Sequence, residues 1–287
     1  MEDDTDINLL NKIIACPKCR SYLEISSELY HCDNCTITYH KENSKISFLI
    51  NPIAHDNNTL NQIKNIVKKF PIVYKILSEV VAPVHISKKT LKKIIKEIND
   101  KSLLGLNIGS GITNYSTQII NFDSQQFANV QVVGDLFSLP FRDNTFDYVF
   151  SIYVLEHVPN PELAIKEMHR VLKPGGICYS FIPFIQGFHA APNDYVRFTS
   201  SGVVNYFYEF IIVKNKAVGP TSAALWIVQE WLAIILSFNS RKLHLVIHTI
   251  IMCISFPIKY LDIILSKSSL AKNIASVNEI IARKKYY

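Results

Sequence analysis

The segment from Leu103 to Gly176 constrains the fold of this 287-residue chain more than any other part of it. It opens with an apolar run that ends in Asn107-Ile-Gly109-Ser110-Gly111, so two glycines directly follow a predicted buried strand. Glycines at this place let the backbone turn tightly and let a ligand approach the main chain closely. A Gly-x-Gly turn is also compatible with a plain loop, so the pattern gains weight only from the residues beyond Gly111.

The rest of this segment predicts an alternation of strands and helices. Ile119 to Asp123 is a short apolar strand that ends in an acid, and Val130 to Asp135 is a second one. A carboxylate at the first of these ends can accept hydrogen bonds from both ribose hydroxyls of a nucleoside. Leu139 to Ser151 indicates a turn and then a strand. Apolar residues three and four apart from Leu163 to Leu172 predict a helix, and Ile177 to Ile182 predicts the next strand.

The order of these motifs resembles the class I S-adenosylmethionine-dependent methyltransferases, of the type 11 kind. The matching motifs are LNIGSG, VVGD, LPFRDNTFDYVFS, VLEHVPNP and MHRVLKPGG. The resemblance implies an α/β fold with a Rossmann-like seven-stranded sheet and helices on both faces. It also implies S-adenosylmethionine as methyl donor. The cofactor-binding residues that it implies are Asn107, Gly109, Ser110, Gly111, Asp123, Asp135, Leu136, Tyr153 and Leu155.

The chain departs from the family pattern at the glycine turn. Asn107 replaces the usual acid at the end of the first strand, and Thr113 replaces the usual third glycine. Asn107 can hydrogen-bond the amino acid part of the cofactor, but it cannot pair electrostatically with the ammonium group. The stretch between the turn and Asp123 is also short for a full helix. A non-catalytic scaffold with a degenerate cofactor pocket therefore stays open as an alternative.

Two Cys-x-x-Cys pairs near the start of the chain predict a metal site. They are Cys16 with Cys19 and Cys32 with Cys35, twelve residues apart. Four thiolates at this spacing suit one tetrahedral Zn²⁺, and a closed site of this kind is structural or serves docking. Two disulfides are the alternative, which a reducing cytoplasm disfavours. The segment resembles zinc-ribbon domains that are fused to, or partnered with, methyltransferases.

The chain divides into four predicted parts. Residues 1–53 form the zinc ribbon, with a strand leading out of it near its end, between residues 39 and 50. Residues 54–101 form a basic helical connector. Residues 102–219 together with 273–287 form the methyltransferase domain, and 220–272 is an apolar helical insertion before its last strand. The lysine-rich connector predicts a solvated helix face, and a nucleic-acid surface is less favoured because aromatic residues and arginines are scarce in it.

The insertion predicts contact with a membrane surface. Its two apolar stretches, Ser222 to Phe238 and Leu243 to Ile258, are each expected to fall short of the ~20 residues that span a bilayer. Trp226, Trp231 and the flanking basic residues fit helices that lie among lipid headgroups. The net charge of +6 also favours an anionic partner. A helical cap on the protein's own core, or a contact in a homodimer, is the alternative.

The loop after the fifth predicted strand is expected to face the methyl acceptor. His189 is the predicted general base for an acceptor hydroxyl, and Asp194 is a second base or an orienting partner. Arg197 is expected to bind a phosphate or carboxylate of the acceptor. A structural ion pair between Asp194 and Arg197 is equally compatible with the spacing. The surrounding run resembles methyltransferases associated with the synthesis of surface polysaccharides and lipid-linked glycans.

These patterns together predict an enzyme that O-methylates a glycan or a lipid-linked small molecule. Because the chain starts with acidic residues rather than a targeting segment, we expect it in the cytoplasm, at the inner face of the membrane. An RNA methyltransferase with a zinc-ribbon docking domain is an alternative, although the apolar insertion makes nucleic acid the less favoured partner. A lipid-quinone methyltransferase would share the fold and the location, but it would not need the ribbon.

Overall fold

A computed structural model describes residues 4–42, 45–49, 88–189 and 193–286. Within these residues eleven strands form one continuous sheet. Residues 54–87 of the predicted helical connector lie outside the described residues. Its remaining part contains the helix Lys89–Asp100.

The strands are β1 (Glu24–Ser26), β2 (Leu29–Cys32), β3 (Ile37–Glu42), β4 (Lys45–Ser47), β5 (Gly105–Ile108), β6 (Ile119–Asp123), β7 (Val132–Val133), β8 (Phe146–Ile152), β9 (Leu172–Pro183), β10 (Phe210–Val218) and β11 (Val277–Lys284). The α-helices are α1 (Asp4–Ile13), α2 (Lys89–Asp100), α3 (Pro161–Val171), α4 (Ser200–Tyr206), α5 (Pro220–Leu236), α6 (Arg241–Ser255) and α7 (Asp262–Leu265). Short 3₁₀ segments are Leu136–Ser138, Leu155–His157, Phe256–Leu261 and Ser269–Asn273.

Seven strands form the predicted Rossmann-like sheet, in the order β7-β6-β5-β8-β9-β11-β10. The five strands from β7 to β9 run parallel, and β11 lies antiparallel between β9 and β10. The chain leaves the centre of the sheet in opposite directions from β5, because β6 lies on one side of it and β8 on the other. Ligands of open α/β sheets bind at the carboxyl ends of the strands at such a switch point.

Helices cover both faces of this sheet, as predicted. Side chains alternate between the two faces of a strand, so Val149 and Phe150 of β8 belong to different apolar clusters. Helix α2 packs through Ile94 and Ile98 in the cluster that contains Phe150. Helices α3 and α4 pack in the cluster that contains Val149. Residues 109–118 and 124–131 contain no helix, so the links β5–β6 and β6–β7 are short turns.

The cysteine-containing segment continues the same sheet. Strand β4 pairs in parallel with β7, through Ile46 with Val132 and Ser47 with Val133. The main-chain nitrogen of Ala15 also donates to the carbonyl oxygen of Pro140 at 3.0 Å. The prediction of one strand between residues 39 and 50 is wrong, since β3 and β4 are two antiparallel strands paired with each other.

Three other strands differ in length from the sequence prediction. Strand β7 is shorter than the predicted Val130 to Asp135, because the Asp135 side chain accepts a hydrogen bond from Phe137 N and starts a 3₁₀ turn. Strand β9 starts at Leu172, before the predicted Ile177, because the Lys-Pro-Gly-Gly run is already extended. The apolar run from Phe210 to Lys214 predicts a strand that ends at Lys214, but β10 continues to Val218 because its pairing with β11 resumes after a bulge.

A helical hairpin, residues 220–273, connects β10 to β11. One helical stretch within it, Arg241–Leu265, is 25 residues long, and among the described residues it alone is long and apolar enough to cross a membrane by length and composition. The expectation that neither apolar stretch reaches this length is therefore wrong. Pro257 lies in the first turn of the 3₁₀ segment, where a missing N–H is tolerated, so the helix does not end there.

Candidate functional site

The glycine turn after β5 leaves room for a ligand. Gly109 has a φ of +60°, and a Cβ atom there would lie 2.6 Å from Cγ2 of Val154. Gly111 has a φ of +52°, and a Cβ atom there would have no heavy atom within 4 Å. Gly109 therefore lets the turn approach the end of β8, while the space over Gly111 is open.

Asp123 connects the end of β6 to this turn. Its Oδ2 accepts a hydrogen bond from Gly111 N at 2.8 Å, and its Oδ1 accepts one from Gln125 N at 2.9 Å. Ser110 N donates to the carbonyl oxygen of Phe122 at 3.1 Å. The Ser110 hydroxyl is buried without a hydrogen-bond partner among the described residues. A buried hydroxyl of this kind is a group that a bound cofactor would satisfy.

Asn107 faces the neighbouring strand. It is 3% exposed, and its Nδ2 lies 3.0 Å from Oδ1 of Asn121 and 3.5 Å from the carbonyl oxygen of Thr113. Because the Asn107 amide nitrogen has one acceptor on β6 and one in the turn after β5, the predicted contact with the amino acid part of a cofactor would fall to Oδ1 of Asn107.

The other predicted cofactor residues follow β7 and β8. Asp135 caps the 3₁₀ turn through a 2.9 Å bond from Phe137 N, and Leu136 is buried behind it. Tyr153 has a φ of +58° and stacks on Phe181, and burial raises the pKa of its hydroxyl. Leu155 is also buried. All nine predicted positions therefore lie at, or just beyond, the carboxyl ends of β5 to β8.

The three predicted acceptor-side residues lie together in the loop after β9. Asp194, with a side chain that is 2% exposed, forms an ion pair with Arg197 and accepts a hydrogen bond from His189 N at 2.9 Å. The Arg197 guanidinium lowers the pKa of Asp194 to about 2. The carboxylate is therefore charged and engaged near neutral pH, which favours the orienting role over the role of a base.

A buried acid that the sequence prediction left out faces this loop. Glu156, directly beyond β8, is 0% exposed, and its Oε1 lies 3.8 Å from Nε2 of both His157 and His189. The contact with Glu156 is the main cause that raises the pKa of His189. Tyr195 N donates to the carbonyl oxygen of Glu156 at 2.8 Å, which fixes the loop above it. The Glu-His pair in the VLEHV motif was the available sequence signal.

The helical hairpin borders the same loop. The ring centroids of Trp226 and His189 are 5.7 Å apart, and a Cβ atom on Gly187 would collide with the Trp226 indole. Gly187 therefore lets helix α5 approach the loop closely. Sequence reasoning placed Trp226 among lipid headgroups and did not connect it with the site.

The four cysteines of the N-terminal segment form a compact cluster. The sulfur atoms of Cys19 and Cys32 are 3.5 Å apart, those of Cys16 and Cys35 are 3.9 Å apart, and all four lie within 4.8 Å of one another. Sulfur atoms around a tetrahedral Zn²⁺ are ~3.8 Å apart, given Zn–S bonds of ~2.3 Å. All four thiols are free, so the disulfide alternative is not formed. A hydrogen bond with Ser21 lowers the pKa of Cys19 to about 6, whereas the hydrogen bond with Cys19 raises the pKa of Cys35 to about 12.

Residues 112–180 match a family model described as a methyltransferase domain. This match covers β6 to β8 and most of β9. The chain has the methyltransferase fold. The matched residues include the polar ends of β6 to β8, while the glycine turn after β5 and the loop after β9 lie outside the match.

Curated relatives match the same region. A demethylmenaquinone methyltransferase from Staphylococcus epidermidis is 47% identical over 68 residues, which is 22% of this chain and 28% of that protein. A sterol 24-C-methyltransferase from Schizosaccharomyces pombe is 42% identical over 87 residues, which is 29% of this chain and 22% of that protein. The chain therefore spans only about a quarter of the length of each of these two relatives.

Among solved structures, phosphoethanolamine N-methyltransferase 2 from Haemonchus contortus, in complex with S-adenosyl-L-methionine, is similar over 67% of this chain and 52% of that chain. The identity is 16% and the TM-score is 0.40. A similarity at this level has no bearing on the reaction or on the acceptor.

Proposed function

We propose that this chain is an S-adenosylmethionine-dependent methyltransferase that methylates a hydroxyl group of a lipid-linked acceptor, such as a lipid-linked glycan, at the cytoplasmic face of a membrane. The observation that carries this proposal is the position of the apolar hairpin, whose Trp226 packs on the loop that holds His189. The loop proposed to face the acceptor and an apolar surface thus lie side by side.

The methyl donor would occupy the open space over Gly111. Asp123, at the end of β6, would accept hydrogen bonds from the ribose hydroxyls in addition to those from Gly111 N and Gln125 N, and the Ser110 hydroxyl would offer a further polar contact. S-adenosylmethionine supplies a sulfonium-bound methyl group that an acceptor oxygen displaces in line. The protein contributes chiefly by aligning the two reactants, which is worth up to ~7–11 kcal/mol when the geometry is productive.

The acceptor would lie against the loop that carries His189, Asp194 and Arg197. Asp194 holds Arg197 and the main chain of His189 in place, so His189 is the group available to the hydroxyl. Arg197 presents its guanidinium next to it and suits a phosphate or carboxylate of the acceptor. The role of His189 as general base remains a prediction.

The hairpin is built with its polar groups inside and its apolar groups outside. Glu230 lies 3.0 Å from Nε2 of His244, and Gln229 donates to Ser255 at 2.7 Å, so polar side chains join α5 to α6. Outward-facing residues are strongly exposed, for example Phe238 at 86% and Ile254 at 75%, and α6 has no buried residue. This arrangement supports contact with lipid rather than a cap on the protein's own core.

The hairpin supports an apolar acceptor more directly than the relatives do. The names of the curated relatives refer to demethylmenaquinone and to a sterol, but the matched segments cover the cofactor side of the domain. We therefore derive the acceptor class from the position of the hairpin. A lipid-linked acceptor would be reached by a protein whose hairpin lies in the headgroup region.

The four-cysteine cluster would hold a structural Zn²⁺. Its free thiols, sulfur separations and buried Cys16 and Cys32 suit a closed tetrahedral site with no open position for catalysis. Since β4 extends the sheet at β7, the metal would also stabilise the edge of the methyltransferase domain.

A non-catalytic scaffold is the second candidate, and two observations favour it. The Asn107 amide is bound by Asn121 and Thr113, and the links from β5 to β6 and from β6 to β7 contain no helix. Incubation with methyl-labelled S-adenosylmethionine and a membrane extract distinguishes the two. If the chain is an enzyme, label should appear in lipid-linked material, and this labelling should require Asp123. If it is a scaffold, folded, zinc-loaded protein should transfer no label.

A further inference from the structure

We propose that Glu156, His157 and His189 bind a divalent transition-metal ion beside the methyl-donor site. One ligand atom from each residue lies within 4.8 Å of the others, and both Nε2 atoms are 3.8 Å from Oε1 of Glu156. Ligand atoms around a tetrahedral ion are ~3.4 Å apart, given bonds of ~2.1 Å. Small rotations of the three side chains would bring them to this separation.

The burial of Glu156 creates a need for a cation. The residue is 0% exposed, and neither carboxylate oxygen has a hydrogen-bond partner within the described parts of the chain. A buried carboxylate without compensation is strongly unfavourable, and a bound cation removes that penalty. The imidazoles of His157 and His189 both face this carboxylate.

The orientation of the two imidazole rings suits metal binding. Nδ1 of His157 lies 2.6 Å from the carbonyl oxygen of Asn193, and Nδ1 of His189 lies 3.1 Å from that of Gly187. A carbonyl oxygen can only accept, so Nδ1 of His157 carries a proton, and the shorter contact of His189 Nδ1, to Gly187 rather than to Arg197, favours the same arrangement there. In its neutral form each ring then turns an Nε2 lone pair towards Glu156. Histidine ligands of metals characteristically donate their other N–H in this way.

The charged groups around the cluster do not balance an ionised Glu156. Arg197 lies close to it, with Nη2 at 3.4 Å from Nδ1 of His189, but it is paired with Asp194. Asp194 itself lies 3.8 Å from the same Nδ1, on the side of the ring away from Glu156. The Asp194–Arg197 pair is neutral overall, so the charge that remains to be balanced belongs to Glu156.

Two imidazoles and one carboxylate suit ions such as Mn²⁺, Fe²⁺ or Zn²⁺, and three protein ligands leave coordination positions open. The role in methylation rests on the proposed function, whereas cation binding does not. An acceptor hydroxyl bound at an open position would lose its proton to water. Its oxygen would form the bond to the methyl group as the sulfur–methyl bond breaks and the electron pair stays on sulfur. His189 would then be a ligand rather than the base.

Titration of the full-length, zinc-loaded protein with MnCl₂ tests the site, with free Mn²⁺ followed by electron paramagnetic resonance. Thiolate sites select zinc over Mn²⁺, so the cysteine cluster will not compete. We expect one Mn²⁺ per chain, and at least tenfold weaker binding in Glu156→Gln and His157→Gln. His40→Gln, which removes an exposed histidine on β3, is the matched control and should bind as the wild type does.

Zinc content and circular dichroism verify that each variant is folded. If Glu156→Gln does not fold, the Mn²⁺ affinity of His189→Gln tests the site instead. The inference is overturned if folded wild-type protein binds no Mn²⁺, as a protonated histidine paired with Glu156 would predict, or if all variants bind equally. A parallel titration with S-adenosylmethionine, in the absence of Mn²⁺, separates the two proposals. Mn²⁺ binding without S-adenosylmethionine binding rejects only the proposed function. S-adenosylmethionine binding without Mn²⁺ binding rejects only the cation site.

Discussion

The indole ring of Trp226 lies 5.7 Å from the imidazole ring of His189, centroid to centroid. One residue belongs to the apolar hairpin and the other to the loop beyond β9, so the hairpin borders the proposed acceptor side. We therefore expect binding at the hairpin to affect the position of this loop. This relationship links the membrane surface proposed for the hairpin to the chemistry proposed for the sheet edge.

Substitution of the two tryptophans of helix α5 should impair different properties, one of them methyl transfer and the other vesicle binding. Trp226→Ala removes the contact with the loop and should lower kcat/KM for methyl transfer about ten- to a hundredfold, because small misplacements of reacting groups are costly. Trp231→Ala, at a residue that is 59% exposed, should spare transfer to a soluble acceptor analogue and weaken flotation with vesicles containing anionic phospholipid. Equal effects of both variants in both assays would contradict this division.

A buried charge network should stabilise the turn between β7 and β8. Glu167 and Arg170 are 8% and 10% exposed, and Arg170 also donates to the carbonyl oxygens of Leu139 and Phe141. Glu167→Ala leaves Arg170 without its buried partner, so it should lower the free energy of unfolding by about 3–5 kcal/mol. Chemical denaturation measures this loss.

Glu162→Ala on the same helix is the matched control. Glu162 pairs with Lys166, and both side chains are about half exposed, at 49% and 44%. A surface pair of this kind contributes ~0–1 kcal/mol, so this substitution should have little effect. Similar losses for both glutamates would reject the importance of the buried network.

Loss of the zinc site should destabilise the methyltransferase domain as well as the ribbon. Cys32 is 0% exposed and lies in the same apolar cluster as Phe122 and Phe141 of the methyltransferase domain. Cys32→Ser should abolish zinc retention and lower Tm by about 10 °C or more, since structural zinc contributes directly to folding. Cys253→Ser, at an exposed thiol of α6, should change neither quantity. A normal Tm in zinc-free protein would show that the ribbon folds without the metal.

The central sheet could be predicted because its signals are local. Each strand end is followed by its own glycine or acid, so the places of Gly109, Asp123 and Asp135 follow from the order of motifs. The length of the helix through Pro257 could not be predicted, since a proline equally often ends a helix. The pairing of β4 with β7 could not be predicted either, because short strands such as Val132–Val133 carry almost no information on register.

The acceptor side was only partly predictable for a different reason. His189, Asp194 and Arg197 lie close in sequence, so their grouping was visible. Glu156 approaches His189 only through the fold, and its Glu-His dipeptide resembles an ordinary helix start. Asn107 was predicted at the correct place, but its bond to Asn121 depends on strand register, which the sequence does not specify.

Calorimetric titration of zinc-loaded protein with S-adenosylmethionine tests the central claim most directly. We predict binding in the micromolar range, and at least tenfold weaker binding in Asp123→Ala, which removes the acid expected to hold the ribose. Asp100→Ala, at an exposed acid that ends α2, should bind as the wild type does. Absence of binding at millimolar cofactor by folded wild-type protein would contradict the account and favour the scaffold.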